Sequence, residues 1–498
     1  MSNTGNVFLG LLMIVICGFL SKTLLVIAIV GFLITIVIML NQPVKKINSV
    51  IEDEIRRELG LYEFDPITKD HLESVRKLQL TDREIYNLEG LEQCINLERL
   101  YLSNNPLEGI TELSKLKNLT RLDLQKSNIS DITPLAQLKN LEYLDLSFNP
   151  ISNLEPLRAI TTLEQIYMQD CNISDISPLS SSTNINSLDM RNNNIMSLEA
   201  LRNFLVLEDI NLLGNQITGI TALNGLKSLR YLNLAENRID SILAIKPLLK
   251  LEMLQLQNNS ITDVTPLQEI IGLSHLNLND NPLSNIDALG NVFGLEQLEI
   301  ENTTTENIIE LGSLINLRIL NASGNSISDI GGLAYLSNLT RLDLKNNQVE
   351  DISYLQNLVN LEILSLENSK LKDLNPLKNL EKLQYLNLDS TRTIDIYPLE
   401  ALINLRVLSM RNNFIDSIEP LRYLTRLHNL NLSINSITDL TPLKVISSLE
   451  VLNLNKNQIV DVMPISRLPN LKKLHIAGNN IENIRILKAL QCLVEYDS

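Results

Sequence analysis

The chain has 498 residues, 44% of them apolar, with a formal charge of −16 and a pI near 4.9. That acidity excludes a nucleic-acid backbone as the main partner, because such affinity comes largely from Lys and Arg neutralising phosphates. Cys17, Cys94, Cys171 and Cys492 are too scattered for a disulfide framework or a CxxC metal site, and with aromatics at 4% and no Trp, large interface anchors are few.

From Val7 to Leu40 the chain is almost unbroken hydrocarbon, FLGLLMIVICGFL, then SKT, then LLVIAIVGFLITIVIML. A single helix of that length reaches roughly 51 Å, too long for a hydrocarbon core of about 30 Å. Residues 1–43 are therefore expected to be a membrane anchor, with the lipid bilayer as a partner. It is either a hairpin turning near Ser21-Lys22-Thr23 or one span over 20–40 with an interfacial lead-in. A cleaved signal peptide is the third reading, although no Lys or Arg precedes the apolar run. Lys45, Lys46, Arg56 and Arg57 follow the run, so the positive-inside rule places the C-terminal bulk in the cytoplasm.

Residues 44–96 are expected to form a helical cap and a degenerate first repeat. Ile51, Ile55 and Leu59 make an apolar stripe at i, i+4, i+8, suited to covering the open end of a repeat array, and Val75, Leu78 and Leu80 begin a weak repeat.

From Leu97 the pattern LxxLxLxxNxI recurs every 22 residues through residue 492, giving eighteen full repeats, with 493–498 as a truncated terminal strand. In LxLxx the alternation has the strand period of two, so Leu122 and Leu124 point inward while Arg121, Asp123 and Gln125 point out. Each repeat adds one strand to a parallel sheet. The other half places Ile132, Leu135 and Leu138 at helical spacing, with Asp131 as cap and Pro134 in the first helical turn; nine repeats carry proline there. The fold class is an α/β solenoid of leucine-rich repeats. Its parallel β-sheet lines the concave face of a horseshoe, and its return limbs are short helical or 3-10 segments.

The ninth position of the repeat is Asn in thirteen of eighteen repeats: Asn105, Asn149, Asn193, Asn215, Asn237, Asn259, Asn281, Asn325, Asn347, Asn413, Asn435, Asn457 and Asn479. Ser127, Cys171, Thr303, Ser369 and Thr391 fill the rest. A buried amide has both donors and an acceptor for backbone groups that no ladder reaches, so this row is expected to be structural.

The 22-residue period with DIxPL in the return half resembles the bacterial internalin-type leucine-rich repeat, with the eukaryotic phosphatase-regulator (SDS22-like) type as a more distant relative. The leader from VIEDEIRRELGLYEF to LEGLEQCINLERLYLSNN is similar to that family's helical cap. The resemblance implies a non-enzymatic protein-binding surface, often displayed on a bacterial cell. Two features depart from the family pattern: no immunoglobulin-like module follows the last repeat, and no LPxTG-type signal precedes Ser498. Invasion of host cells therefore does not carry over.

Solvent-facing positions three, five, seven and eight are expected to write the concave surface. Arg99, Tyr101, Arg121, Asp123, Tyr143, Asp145, Phe148 and Tyr167 form its densest aromatic stretch, with Tyr101 and Tyr167 about 15 Å apart at the spacing of parallel strands. They are the candidate contacts for a protein or peptide partner; ordinary occupancy of exposed strand positions explains them equally. The fifth position never uses Lys or Arg, which suits a basic partner, a sugar or simply solvent. Ser433 is read as exposed. The Leu295 and Leu383 repeats, with Thr303 and Thr305, and Thr391 and Thr393, read as a hinge, a ligand-accommodating dent or tolerated decay.

No catalytic, cofactor or metal motif stands out. His275 and His475 lie nine strands apart, about 43 Å, too far to share a metal. Three functional readings remain: a membrane-tethered binding scaffold, a surface-displayed adhesin or receptor, and a regulatory subunit of a phosphatase-like enzyme.

Overall fold

The structure is a computed structural model that describes residues 26–27, 29–32, 44–490 and 493–495. Within the expected anchor, 26–27 and 29–32 are helical, and the remainder, including Ser21-Lys22-Thr23 and Cys17, lies outside the described residues, as do Cys492 and 496–498. Among the described residues no helix is long and apolar enough to cross a membrane, so the transmembrane expectation has no observed span to rest on. The chain divides into two compact units, Met1–Leu141 and Glu142–Ser498.

The first unit begins with helix α1 (Ser49–Leu59), capped by Asn48, whose Oδ1 accepts the Val50 N–H at 3.0 Å. Gly60, at φ +67°, ends it in the left-handed conformation that glycine adopts without a Cβ penalty. Ile51 and Ile55 are fully buried, whereas Leu59 is only half-buried. Glu54 takes a place on the buried side instead, bonded to Arg57 and to the Gln79 N–H. Helix α2 (Lys69–Ser74) starts in a capping box between Thr68 and His71. Strands β1 (Lys77–Gln79), β2 (Arg99–Tyr101) and β3 (Arg121–Asp123) then pair in parallel, Lys77 opposite Arg99 and Arg99 opposite Arg121.

The second unit repeats that unit step from β4 (Tyr143–Asp145) and β5 (Gln165–Tyr167) to β19 (Lys473–His475) and β20 (Leu493–Glu495), each strand parallel to the next. Positions four and six, such as Leu144, Leu146, Ile166 and Met168, are wholly buried. Return limbs are 3-10 turns of three or five residues, such as Thr265–Leu267 and Tyr397–Ala401. The 3-10 form rises about 2.0 Å per residue, so few residues span the return. Where an acidic residue precedes a limb, it sits one place outside the expected cap. Asp263 Oδ1, for example, accepts the Thr265 N–H at 2.8 Å, an Asx turn that aims the chain into the limb. The exception among the limbs is the last, helix α3 (Ile484–Ala489).

That helix alters the register. β20 pairs Leu493 with Lys473, 20 residues earlier, where a full period would place it opposite Leu471. A shift of two residues preserves the in–out alternation of a strand, so the face is kept although the period is not.

Two features escaped the sequence reading. Position eight is left-handed in repeat after repeat, as at Asn104, Lys126, Asp170, Asn192, Asn258 and Asn412, all with φ between +51° and +58°. Asn, Asp and Gly dominate there because they tolerate that conformation best. A second set of amides closes the turn before several strands: Asn316, Asn338 and Asn360 donate to Phe293, Ile315 and Ser337 carbonyls, 23 residues earlier, at 3.0, 2.8 and 2.9 Å.

Candidate functional site

The ninth-position Asn side chains other than Asn149 each bind two successive repeats. Asn215 Nδ2 donates to Leu212 O of its own repeat at 3.0 Å and to Met190 O of the preceding one at 3.1 Å, while its Oδ1 accepts the Ile195 N–H at 3.0 Å. The same three bonds recur at Asn105, Asn193, Asn237, Asn259, Asn281, Asn347, Asn435, Asn457 and Asn479. Asn149 donates to Leu146 O. Asn325 and Asn413 differ: each Oδ1 accepts the N–H of Thr303 and Thr305, or of Thr391 and Thr393.

Those threonines are therefore not loose. Thr303 and Thr305 are buried and share a 2.8 Å hydroxyl bond, as do Thr391 and Thr393. The Thr-x-Thr pair replaces the missing amide from its own side and bends the chain, with Thr304 and Arg392 left-handed at φ +60° and +62°. Beside Thr304 and Thr305 opens a depression of about 500 Å³ lined also by Asn285, Asp287 and Glu306.

The eight candidate contact residues fall in two units. In the first, Arg121 lies over the Tyr101 ring, 5.9 Å from its centre, and Lys77 lies 5.7 Å from the same ring. Arg99 is exposed, and Tyr101, Arg121 and Asp123 are half-buried. In the second, Tyr143 and Tyr167 stack with ring centres 5.4 Å apart, tilted by 39°, and Asp145 Oδ1 accepts the Ser147 N–H. Phe148 is exposed and left-handed at φ +60°, so it projects from the turn after the strand and not from the strand itself.

Position seven departs from expectation. Ser433 is buried, 4% exposed, as are Ser147, Ala235 and Ser323, because small residues there sit under the turn that position eight makes. Larger residues at the same position, such as Lys345, Glu367 and Asp389, remain half-exposed.

Charge along the open sheet face is uneven. Burial pushes the Asp343 and Asp389 carboxyls above the ordinary Asp range, with nearby Glu301 and Glu367 respectively adding to the shift. Burial also raises Tyr385, assisted by the carboxylates of Asp389, Asp343 and Glu367. Cys94 is buried with its thiol pushed up to about 12, and Cys171 donates to Leu146 O with its thiol raised by burial; neither is poised as a nucleophile. Among the described residues no group of three or more His, Cys, Asp or Glu is placed to hold a metal.

Against known families, the chain matches the leucine-rich repeat model of two copies over 117–159, 161–203, 315–357, 403–445 and 447–489, and the single leucine-rich repeat over 96–116. Its structure is similar to that of an internalin (inlF) from Listeria monocytogenes, at 31% identity and a TM-score of 0.59, covering 68% of this chain and 94% of that one. The chain belongs to the leucine-rich repeat proteins. Other leucine-rich repeat structures match over more of it at lower identity. The plant peptide hormone receptor RGFR1 in complex with RGF2 shares 20% identity, TM-score 0.63, over 87% of this chain and 84% of that one. The Arabidopsis receptor kinase HAESA ectodomain, solved with a peptide hormone ligand, shares 19%, TM-score 0.66, over 84% and 78%. No curated protein sequence matches.

Proposed function

We propose that this leucine-rich repeat protein is a non-catalytic scaffold whose open sheet face binds a protein or peptide partner, tethered to a bilayer through residues 1–43. The observation that carries the binding reading is the Tyr143–Tyr167 stack on that face. Two rings held against one another are rigid, amphipathic contact area that loses little entropy when a partner arrives. Arg99, Tyr101, Arg121 and Asp123 are the candidate contacts on the first unit, and Asp145 and Phe148 accompany the stack on the second. Peptide hormones bound by RGFR1 and HAESA show that solenoids of similar fold take such ligands. The tether rests on the apolar run from Val7 to Leu40, and the basic residues that follow it favour a cytoplasmic array. The 31% identity to an internalin favours the second reading, a surface-displayed receptor of internalin type.

Two experiments address the two parts. A photo-crosslinking residue at position 143 in the full-length protein, in intact cells, should capture a protein partner that the same residue at exposed Tyr335 does not. A membrane-impermeant thiol reagent on a cysteine at exposed Asn429, with Cys94 and Cys171 buried and Cys17 and Cys492 replaced by serine, reports the side of the membrane. Protection until permeabilisation supports the cytoplasmic array, and labelling of intact cells supports surface display. Equal capture at both positions would remove the binding face.

A further inference from the structure

A second feature of the sheet face lies far along the array, where three neighbouring strands change side-chain size abruptly. Arg341–Asp343, Ile363–Ser365 and Tyr385–Asn387 pair in register, so that Asp343, Ser365 and Asn387 share one row and Arg341, Ile363 and Tyr385 the next. Ser365 is buried and short, and the gap above it is a hollow of about 340 Å³. Ile363 and the Tyr385 ring form its apolar wall, and Asp343, Glu367 and Lys345 its polar one. That volume is at the low end for ligand pockets and leaves room for one long side chain.

The charges around the hollow are incompletely matched. Glu367 is engaged twice, by Lys345 Nζ at 3.5 Å and by Asn387 Nδ2 at 3.0 Å. Asp389 accepts from Ser409 Oγ and the Arg411 N–H, both at 2.6 Å. Asp343 accepts the Lys345 N–H at 3.0 Å. Four carboxylates, Asp343, Glu367, Asp389 and Glu301, therefore stand near three cations, Lys345, Arg411 and the exposed Arg341, in a partly desolvated setting where an added positive charge gains most. Tyr385 supplies an aromatic face on which a guanidinium can lie.

We propose that this hollow is a specificity subsite taking one cationic side chain, arginine above lysine, from an extended peptide segment of the partner that lies across the three strands. The subsite rests on the protein-binding reading. The guanidinium would pair with Asp343, with its plane against Tyr385, and the two flanking strands would carry the neighbouring peptide residues. Binding would withdraw the Asp343 carboxyl from its protonated form, so affinity should fall as the pH is lowered through its raised pKa.

The test uses the full-length protein in detergent and two capped pentapeptides, Ala-Ala-Arg-Ala-Ala and the same sequence with citrulline, which keeps the shape and removes the charge. Saturable calorimetric binding of the arginine peptide, at least 10-fold tighter than citrulline, is expected. Asp343→Asn and Ser365→Leu should each lower it at least 10-fold, while Tyr335→Ala, on an exposed return limb, leaves it unchanged. Equal binding of both peptides, no binding of the arginine peptide at millimolar concentration, or full retention in both variants would overturn the subsite. A crosslinked partner that still binds Asp343→Asn and Ser365→Leu at wild-type affinity would also overturn it while leaving the protein-binding reading intact; absence of any partner at position 143 would instead count against that broader reading.

Discussion

Asn347 joins two repeats through one side chain, donating from Nδ2 to Ala322 O at 2.8 Å and Leu344 O at 3.0 Å while its Oδ1 accepts the Ile327 N–H at 2.9 Å. Replacing it by Leu leaves those backbone groups buried without partners, and each such group costs about 1–3 kcal/mol. Asn347→Leu should therefore destabilise by about 3 kcal/mol. In a solenoid each repeat contacts only its neighbours, so the effect is local, and hydrogen exchange at the Ile327 amide is the appropriate measurement. Ser369 offers the reverse case, since its buried Oγ has no partner among the described residues. Ser369→Asn should restore the row and slow exchange in the two repeats it joins; unchanged protection in both variants would show the amides to be dispensable.

The conformation of position eight gives a second stability prediction. Ile434 holds φ +58° where neighbouring repeats carry Asn412 and Lys456. A β-branched residue is strained there, because its Cβ crowds the backbone oxygen, at a cost of roughly 1–2 kcal/mol. Ile434→Asn should raise the urea midpoint by an amount worth about 1 kcal/mol with no change in slope. A lower midpoint would mean that the isoleucine makes apolar contacts outweighing the strain.

These two positions show why part of the architecture was legible in the sequence and part was not. Positions four, six and nine repeat the same physical demand in every period, so Leu144, Leu146 and Asn149 can be placed by spacing alone. Position seven carries no such demand: Ser433 and Lys345 occupy one slot, and only the turn beside them decides that the first is covered and the second is not. The left-handed turn did leave a signal, the run of Asn, Asp and Gly at position eight, but it lies next to the ninth-position Asn and reads as part of that row. The hollow above Ser365 depends on three side-chain volumes on three strands, each 22 residues apart, and no local motif encodes it.

Acid should act on two groups of carboxylates in opposite directions. Asp263 and Asp351 lie below the ordinary Asp value of 3.8, because each accepts bonds from the residue two places on. Their folded pKa is depressed, so the stability they give is present above 3.8 and is lost as pH falls through the folded value. Both are nearly fully exposed, and each contribution is small. Asp343 and Asp389 are raised by burial, so their contribution is full below 3.8 and is lost as pH rises through the folded values. Asp343→Asn should thus match the wild type near pH 3.5 and become more stable than it by pH 7, whereas Asp263→Asn should show its deficit only above the folded pKa of Asp263. Carboxyl carbon shifts followed by NMR give the two sets of pKa values directly, and an Asp343 value at or below 3.8 would reverse the first expectation.

The Tyr143–Tyr167 stack separates a binding face from a merely solvated one. Each ring is half-buried, and their centres are 5.4 Å apart, so removing one leaves the other free to reorient and fill part of the gap. The double substitution to Ala removes both the apolar area and its rigidity. Interface anchors of this type are worth about 2 kcal/mol or more on truncation, which is roughly a 30-fold change in affinity. A captured partner should therefore bind the double variant at least 10-fold more weakly, mostly through faster dissociation, because contact loss acts on the departing complex more than on encounter. Tyr335→Ala, at a return-limb ring that is 73% exposed, should bind as the wild type does and serve as the matched control. The core beneath the stack is Leu144 and Ile166, fully buried and untouched by the change, so the double variant should keep its circular dichroism and melting temperature. Undiminished affinity in that folded variant would show that the tyrosines are ordinary exposed-strand residues, and the partner would have to be sought elsewhere on the sheet.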